Sequence, residues 1–457
     1  MVSMRSSPAP TRVAAPATDS AMSELLVGLS RLRLPDFSLI EQRFQAPAIG
    51  DPAAALRAAL ADPGIRARLP PGSRVALAIG SRGIAELQLL VATLVAELKR
   101  LGMTVVIVPA MGSHGGATAE GQREVLARLG IEERTVGAPV VSSMATTVVA
   151  HLERDPLTGS YRRAPAGGDA LPVHLDAAAA AADAVIPVVR VKPHTGFRGR
   201  YESGICKMLS IGLGKHAGCS RYHREGYERF AELIPAAGEA VLGSGTIACA
   251  IAVVENANDA IAHLEAVASE RIMAREPELL ELSRRLMPRL LLPRIDVLVI
   301  EEFGKDISGV GMDPNITGRG EGGRPAGFDG PLIRRIVVLG LTEQTHGNAT
   351  GLGMADIISE RVLAAIDRRV TATNVLTSGS LAGGRIPLAL PSDDEAILAA
   401  ASCVPGVPFG EVTMVRIKNT LALGRIAVSA NLLGEVSRTP GCVPLGPFTG
   451  RFDAPAH

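Results

Sequence analysis

Continuous apolar runs alternate with amphipathic segments along the chain, and this alternation predicts strands and helices in turn. Arg74–Ile79 and Met103–Val108 are almost entirely apolar, as are strands buried on both faces of a parallel sheet. Between them, Ile84–Arg100 has apolar residues at helical spacing and ends in two basic residues before a glycine, which signals the end of a helix. The order strand, helix, strand is the repeating unit of an open α/β sheet.

The same pattern continues into the C-terminal half of the chain. A third strand is predicted at Ala184–Val191, and a Leu- and Arg-rich segment over 271–294 predicts a helix. We therefore predict an α/β protein: two α/β domains with mostly parallel sheets and a site in the cleft between them. The predicted strands of the second domain are Ile295–Ile300, Ile336–Leu341 and Val412–Ile417.

The predicted boundary between the domains lies near residue 290. Residues 21–290 form the N-terminal α/β domain, which carries the catalytic and cofactor-binding residues, and residues 291–430 form the C-terminal α/β domain. Residues 1–20 are rich in Ser, Pro, Ala and Thr, a composition that predicts a disordered leader. Residues 431–457 are predicted to be a tail that packs back on the N-terminal domain.

Composition and charge argue against several classes of protein. The 457 residues carry 47 Lys and Arg against 46 Asp and Glu, a net charge of +1. The chain therefore lacks the basic excess that is typical of nucleic-acid-binding proteins, and no nucleic-acid partner is predicted. No run of 18 apolar residues occurs, which predicts no membrane-spanning helix. Five scattered cysteines without a CxxC pair indicate a reducing compartment, and we predict the cytoplasm. The sequence leaves the oligomeric state open.

Lysine is rare in this chain, which makes a local cluster of lysines informative. Only six of the basic residues are lysines, and Lys192, Lys207 and Lys215 lie close together. Lys207 stands in an apolar stretch, which predicts a lowered pKa and a neutral amine able to attack a carbonyl or thiocarboxyl carbon. The alternatives are binding of a phosphate through charge alone and clustering by chance.

Polar residues that suit acid–base chemistry follow three of the predicted strands. Arg82 follows the first strand, His114 follows the second in Gly-Ser-His-Gly-Gly, and His194 follows the third in Lys-Pro-His. Ligands of open α/β sheets sit at the carboxyl ends of strands. A histidine there can exchange a proton near neutral pH, and an arginine can bind a carboxylate with two hydrogen bonds. A turn histidine and a surface arginine are the structural alternatives.

Two loops of the second domain are further candidates. Phe303-Gly304-Lys305-Asp306 follows Ile295–Ile300, and Thr345–Gly351 follows Ile336–Leu341. Both can face the first domain across a cleft, and ordinary loop structure explains them equally well. No HExxH or HxxxH pattern occurs, so a zinc site built by the protein alone is not predicted. A metal here would take few protein ligands, with a cofactor supplying the rest.

Around Lys207 the chain resembles the nickel-dependent lactate racemase superfamily. The resemblance extends from about residue 74 to the end and is strongest in the spacing His194 … Ser203-Gly204-x-x-Lys207 … His223. It implies that Lys207 is covalently joined to a nickel pincer nucleotide and that His223, sixteen residues later, binds the nickel. The residues expected to contact the cofactor besides Lys207 are Ser203, Gly204, Lys192 and Ser113.

The resemblance also implies a reaction, namely racemisation or epimerisation at C2 of a small 2-hydroxy acid by hydride transfer to the cofactor. The C2 hydrogen is too weakly acidic to leave as a proton near neutral pH, so it leaves as hydride while the hydroxyl proton goes to a base. Inversion involves two faces of the carbon, which implies that His114 and His194 are the acid/base pair. Arg82 and Lys305 would hold the carboxylate. Separate cofactor-building enzymes would load the protein.

The chain departs from that family and looks like a divergent branch. Gly115 follows His114 where the family's lactate enzyme has an arginine, and the family's second-domain carboxylate-binding residues have no clear counterpart. Lys305, Asn315 and Arg319 are the candidates for that role. Two other functions remain open: a Schiff-base enzyme with pyridoxal phosphate on Lys207, and a non-catalytic protein that binds the cofactor or an organic acid.

Overall fold

The computed structural model describes residues 28–29, 31–320, 327–328 and 330–452, and the predicted leader over 1–20 lies outside them. The described residues form sixteen strands in three sheets. The strands are β1 (Phe37–Gln42), β2 (Arg74–Ile79), β3 (Thr104–Pro109), β4 (Thr146–Arg154), β5 (Tyr161–Ala164), β6 (Leu171–Asp176), β7 (Ala184–Arg190), β8 (Cys249–Glu255), β9 (Ile261–Ala268), β10 (Arg294–Ile300), β11 (Leu332–Val338), β12 (Ile357–Ser359), β13 (Leu388–Leu390), β14 (Met414–Ile417), β15 (Arg425–Ser429) and β16 (Cys442–Phe448).

Helices connect and cover these strands. The α-helices within the described residues are Pro52–Leu60, Pro63–Arg66, Leu87–Arg100, Ala119–Arg128, Glu133–Val136, Ala177–Ala180, Ile205–Lys207, Lys215–His223, Phe230–Leu242, Ile272–Leu286, Pro314–Thr317, Glu360–Ala365, Arg368–Ser378, Asp393–Ser402 and Leu433–Val436. A π-helical turn over Met208–Gly212 follows the Ile205–Lys207 helix. Within the described ranges, no helix has the length and apolar character that crossing a membrane requires.

The first half of the chain is built on a five-stranded sheet in the order β3-β2-β7-β8-β9. The first four strands are parallel, and β9 is antiparallel. Helix Leu87–Arg100 buries its apolar side on one face, and helix Phe230–Leu242 does so on the other. Because both faces are covered, the central strands read as continuous apolar runs rather than as alternating ones. The three-stranded antiparallel sheet β5-β4-β6 contributes buried residues to the hydrophobic core between the five-stranded sheet and helix Phe230–Leu242.

The second half is built on an eight-stranded sheet in the order β13-β12-β11-β10-β14-β15-β1-β16. The strands from β13 to β14 are parallel, and the pairs from β14 to β16 are antiparallel. The α/β class with mostly parallel sheets is therefore confirmed. The helix Asp393–Ser402 covers one face of this sheet.

The two ends of the described chain meet in this second sheet, which differs from the predicted division. Strand β1 pairs with β15 and β16, although it lies within the predicted N-terminal domain over 21–290. The tail over 431–457 was expected against the N-terminal domain, and its strand β16 instead pairs with β1. Gln42 strengthens this arrangement, because its Nε2 donates to Leu423 O at 2.8 Å. Pairing between such distant segments leaves no periodic signal in either one.

The three strands predicted in the first half begin and end within one residue of β2, β3 and β7, whereas two helices differ more. The helix expected from Ile84 begins at Leu87, because Glu86 adopts a left-handed conformation with φ 54°. The helix expected to end at 294 ends at Leu286, and Met287 is extended. Met287 precedes a proline, and the residue before a proline disfavours the helical region.

A buried ion pair supports the carboxyl end of β3. Lys215 is fully buried, and its Nζ lies 3.0 Å from the equally buried carboxylate of Asp176. The same Nζ donates to Pro109 O at 2.6 Å and to Gln122 Oε1 at 2.9 Å. Gln122 in turn donates to the carbonyl of His114 at 3.3 Å. Lys215, one of the three clustered lysines, is thus a structural residue beneath the loop after β3.

We expect Lys215→Met to lower the free energy of unfolding by about 3–5 kcal/mol, because it leaves the Asp176 carboxylate buried without its counter-charge. Urea unfolding measures this loss. Arg134→Met is the control, since Arg134 forms an exposed ion pair with Glu132 and such pairs contribute little. A loss no larger than that of the control would contradict this account of Lys215.

Candidate active site

Three adjacent parallel strands end at one edge of the five-stranded sheet. β2 lies between β3 and β7, with Ile79 opposite both Pro109 and Val188. The chain leaves these strands toward Arg82, His114 and His194, so the three side chains that were predicted from separate motifs follow neighbouring strand ends. The predicted site residues therefore share one edge of the sheet.

Electrostatic interactions join the remaining predicted residues to this edge. The pKa of His114 is lowered by the charges of four residues, Arg82, Lys207, Lys305 and His223. The pKa of His194 is lowered by the charges of Lys207, Lys192, His223 and Arg198. The structure thus brings the predicted catalytic residues, the predicted lysine attachment point and the predicted metal ligand into one region that both halves of the chain line.

His114 is exposed on the surface of this region. Partial loss of hydration to the surrounding protein, followed by the charges of Arg82 and Lys207, lowers its pKa to about 4. The neighbouring Ser113 contacts Cys219, whose thiol lies 3.6 Å from Ser113 Oγ. A histidine with this pKa is neutral at pH 7 and is a weaker base than an ordinary imidazole, whose pKa is about 6.5.

His194 is more enclosed, and burial is the main reason that its pKa lies well below 6.5, with the charges of Lys207 and Lys192 adding to the effect. Its backbone N–H donates to Glu202 Oε2 at 2.6 Å. Its ring packs on Phe197 with centroids 4.5 Å apart. The second predicted acid/base residue is therefore neutral and held in place.

Lys207 ends a short helix that starts at the Ser203-Gly204 motif. The backbones of Lys192 and Ser203 pair, with N···O distances of 2.8 and 3.2 Å. Gly204 leaves space for the buried Glu276 carboxyl, since a Cβ at this position would lie 2.3 Å from Glu276 Oε1. Glu276 Oε2 accepts from the Cys206 N–H at 2.8 Å, which caps the helix. Burial, then the charges of Arg82 and Lys192, lowers the Lys207 pKa to about 8.

His223 lies on the last turn of helix Lys215–His223. Its Nδ1 is 2.7 Å from Cys219 O, a carbonyl that can only accept a hydrogen bond. Burial disfavours the charged ring, but hydrogen bonds to Cys219 outweigh it and raise the His223 pKa. Tyr227 and Phe230 pack edge-on against the ring at 5.5 and 5.2 Å. With Phe197, these aromatic side chains cover the His194–His223 side of the site.

The second half contributes Lys305 and the loop that follows it. Loss of hydration, then the charge of Arg82, lowers the pKa of Lys305 to about 8, and its Nζ donates to Asn374 Oδ1 at 2.5 Å. A Cβ on Gly309 would lie 3.3 Å from Arg82 Nη2. The two halves of the chain therefore meet at Arg82, as the predicted cleft requires.

The other two second-domain candidates for carboxylate binding are Asn315, which lies beside the site, and Arg319, which lies away from it. Asn315 contacts the His194 loop, because its Oδ1 accepts from Arg198 and its Nδ2 lies 3.4 Å from His194 O. Arg319 is buried in an ion pair with Asp356 at 2.6 Å and donates to backbone carbonyls. Arg319 therefore stabilises the second domain and is not placed to bind substrate.

Two carboxylates that organise the site escaped prediction. Glu202 is fully buried and accepts from the His194 N–H and from Arg284 Nη2 at 2.6 Å each. Glu276 is also buried, and burial raises its pKa to about 7. The only sequence signal for Glu202 is its position as a lone acidic residue in a basic run, directly before Ser203.

The site is rich in positive charge. Within the described ranges, no carboxylate lies within ion-pair distance of Arg82, Lys192 or Lys207. The same ranges contain no cluster of three or more His, Cys, Asp or Glu side chains able to hold a metal ion. The arrangement suits anionic ligands, and a metal here would depend on ligands that the protein does not supply.

Comparisons with known proteins bear on the fold. The chain matches no protein-family model and no curated protein. The crystal structure of a protein from Thermotoga maritima is similar, with 12% identity and a TM-score of 0.50 over 81% of this chain and 96% of that one. The lactate racemase apoprotein from Thermoanaerobacterium thermosaccharolyticum has 14% identity and a TM-score of 0.47, over 84% of this chain and 94% of its own. The first likeness concerns the fold alone, and neither bears on activity.

We expect Arg82→Gln to raise the pKa of His114 above about 4, because it removes the positive charge that most strongly opposes protonation of the ring. A histidine NMR titration measures the midpoint. Arg74→Gln changes the other end of β2 and should leave the midpoint unchanged. An unaltered midpoint in Arg82→Gln would show that the two side chains do not interact.

Proposed function

We propose that this protein is an isomerase that racemises or epimerises C2 of a small 2-hydroxy acid, with a nickel pincer nucleotide joined to Lys207. The observation that carries the proposal is the convergence of three strand ends, which bear Arg82, His114 and His194, on Lys207 and His223. We place the protein in the cytoplasm, where cofactor-building enzymes would load it.

The residues present fit the cofactor that the family resemblance implies. With a pKa of about 8, roughly a tenth of Lys207 is neutral at pH 7, which makes its amine a competent nucleophile. Because Cys219 O accepts from His223 Nδ1–H, Nε2 of the neutral ring keeps its lone pair for a metal. Lys192 would supply a cation for the cofactor phosphate, and the hydroxyl groups of Ser203 and Ser113 would supply hydrogen bonds to the cofactor.

The cofactor, when bound, supplies the hydride acceptor for C2. Arg82 from the first half and Lys305 from the second bind the substrate carboxylate between them. His114 and His194 hold or move the hydroxyl proton, and both are neutral at pH 7 because their pKa values are lowered. The aromatic rings of Phe197, Tyr227 and Phe230 exclude water from one side of the site.

The cofactor assignment predicts a nucleotide-sized mass adduct on Lys207 when the chain is produced together with cofactor-building enzymes. Denaturing intact mass and peptide mapping detect it. Lys207→Arg should abolish the adduct, because it keeps the charge and removes the nucleophilic amine. Lys99→Arg is the matched control, since Lys99 lies in the last turn of helix Leu87–Arg100, outside the site, and it should load normally. An unmodified Lys207, beside a positive control loaded in the same host, would contradict covalent attachment.

We expect His114→Ala and His194→Ala each to lower racemisation of a chiral 2-hydroxy acid by about 10²–10⁴-fold, the usual contribution of a general acid or base. The adduct on Lys207 should remain, which separates loss of chemistry from loss of cofactor. Full racemisation by both variants would refute the roles of these histidines. Absorption in the pyridoxal band would favour a Schiff-base enzyme, and a loaded chain without turnover would favour a binding protein.

A further inference from the structure

Lys305, one of the two residues proposed to bind the substrate carboxylate, contacts an amide side chain from a distant part of the second half. Its Nζ donates to Asn374 Oδ1 at 2.5 Å, and the two residues are 69 positions apart in the chain. Asn374 lies on helix Arg368–Ser378 and is half-buried. A lysine ammonium carries three donors and no acceptor. The Asn374 amide therefore turns its oxygen toward Lys305.

The loop Thr345–Gly351, which the sequence marked as a candidate, ties this helix to Lys305. Thr345 Oγ1 accepts from the Lys305 N–H at 3.2 Å. The Gly347 carbonyl accepts at 2.9 Å from the N–H of Asp367, the residue before the helix. A Cβ on Gly347 would lie 2.7 Å from the same nitrogen, so only glycine permits this close approach. The main chain therefore fixes the position of the helix relative to Lys305.

The contact leaves hydrogen-bond donors free on both side chains. Among the described residues, Asn374 Nδ2 has no hydrogen-bond partner, and the ammonium of Lys305 has three hydrogens, of which Asn374 accepts one. Because the partner is a neutral amide, it orients the ammonium without cancelling its charge. With a pKa of about 8, roughly nine-tenths of Lys305 is charged at pH 7. The pair is thus a set of adjacent donors with one positive charge.

Electrostatic interactions place this pair at the candidate active site. Loss of hydration first, and then the charge of Arg82, lowers the pKa of Lys305. Loss of hydration and then several charges, that of Lys305 among them, lower the pKa of His114. Gly309, in the loop that follows Lys305, passes close to Arg82, since its Cβ would lie 3.3 Å from Nη2. Another cation here would add repulsion, whereas a neutral amide adds a donor without it.

We infer that Asn374 is a substrate-binding residue, whose Nδ2 donates to one oxygen of the substrate carboxylate while Lys305 donates to the other. The inference rests on the proposed function, which supplies the 2-hydroxy acid. Two donors side by side match the two oxygens of a planar carboxylate, and Arg82 binds the same group from the first half. Because this anchor lies on the carboxylate, it occupies neither face of C2. Both faces remain open to His114 and His194, as inversion requires.

The donor role is measured by NMR on the chain without cofactor, with glycolate as the probe, because this smallest 2-hydroxy acid has no side chain that could clash. The chain has seven asparagines, so the side-chain amide of Asn374 can be labelled with few others and assigned by its loss in Asn374→Leu. We expect glycolate to shift the Asn374 amide proton downfield, as a hydrogen bond to a carboxylate does.

Two outcomes of this titration would overturn the inference. If the Lys305 signal responds to glycolate and the Asn374 amide does not, Asn374 only orients the lysine. If neither signal responds, the pair does not bind the carboxylate. In both cases the mass adduct on Lys207 still tests the proposed function separately.

Asn374→Leu removes both amide groups without adding charge. It should weaken glycolate binding by about 10–100-fold, the range for a lost hydrogen bond to a charged group. It should also move the Lys305 pKa below about 8, because the ammonium loses an acceptor. Thr373→Leu is the matched control, since Thr373 is an exposed neighbour on the same helix, and it should change neither quantity. Equal affinities in the two variants would contradict the inference, and if Asn374→Leu does not fold, the wild-type titration decides.

Kinetics of the loaded enzyme give a further readout. Asn374→Leu should raise KM for the 2-hydroxy acid by about 10–100-fold and change kcat little, because the carboxylate is bound alike in the ground state and the transition state. The adduct on Lys207 should form as in the wild type, which separates weaker substrate binding from poor loading. A fall in kcat with an unchanged KM would contradict a role in binding the carboxylate.

Discussion

Positive charge concentrated at one edge of a sheet is the constraint on which the rest of this structure depends. Arg82, Lys192 and Lys207 lie near one another, with Lys305 facing them from the second half. Like charges in a poorly hydrated space raise each other's free energy, and the protein has placed no carboxylate in ion-pair distance of the first three, as far as the described residues show. Burial first, and this repulsion second, lower the pKa values of Lys192, Lys207 and Lys305 and of the histidines His114 and His194. An anionic ligand would relieve it.

Carboxylates placed behind the site, rather than in it, hold this arrangement together. Glu202 binds the backbone of His194, Glu276 caps the helix that ends in Lys207, and Asp176 pairs with Lys215 beneath the loop of His114. Each is buried, so each interaction is poorly screened and its geometry is well defined. The face that bears Arg82 and Lys207 can therefore stay cationic. Glu202 and Asp176 support it through backbone, Arg284 and Lys215, and Glu276, whose pKa burial raises to about 7, contacts backbone.

The sequence was most informative where structure is local. The apolar runs of β2, β3 and β7 predicted a parallel sheet, and the rule that ligands meet strand ends then grouped Arg82, His114 and His194. Partners distant in sequence were not predictable in this way. The pairing of β1 with β16, and the contact of Glu202 with Arg284, depend on tertiary packing that no periodicity records. The cluster of lysines did not separate its members by role, because Lys215 belongs to it and is a buried cation paired with Asp176.

Two histidines of the site show how a backbone group can decide what a side chain does. Cys219 O accepts from Nδ1 of His223, whereas the Gly196 N–H donates to Nδ1 of His194. The two rings consequently favour opposite neutral tautomers, with a lone pair on Nε2 of His223 and a hydrogen on Nε2 of His194. The first leaves Nε2 free for a metal, and the second carries a proton that His194 can give as an acid. Residue type alone could not separate these two states, because the difference lies in one carbonyl and one amide of the main chain.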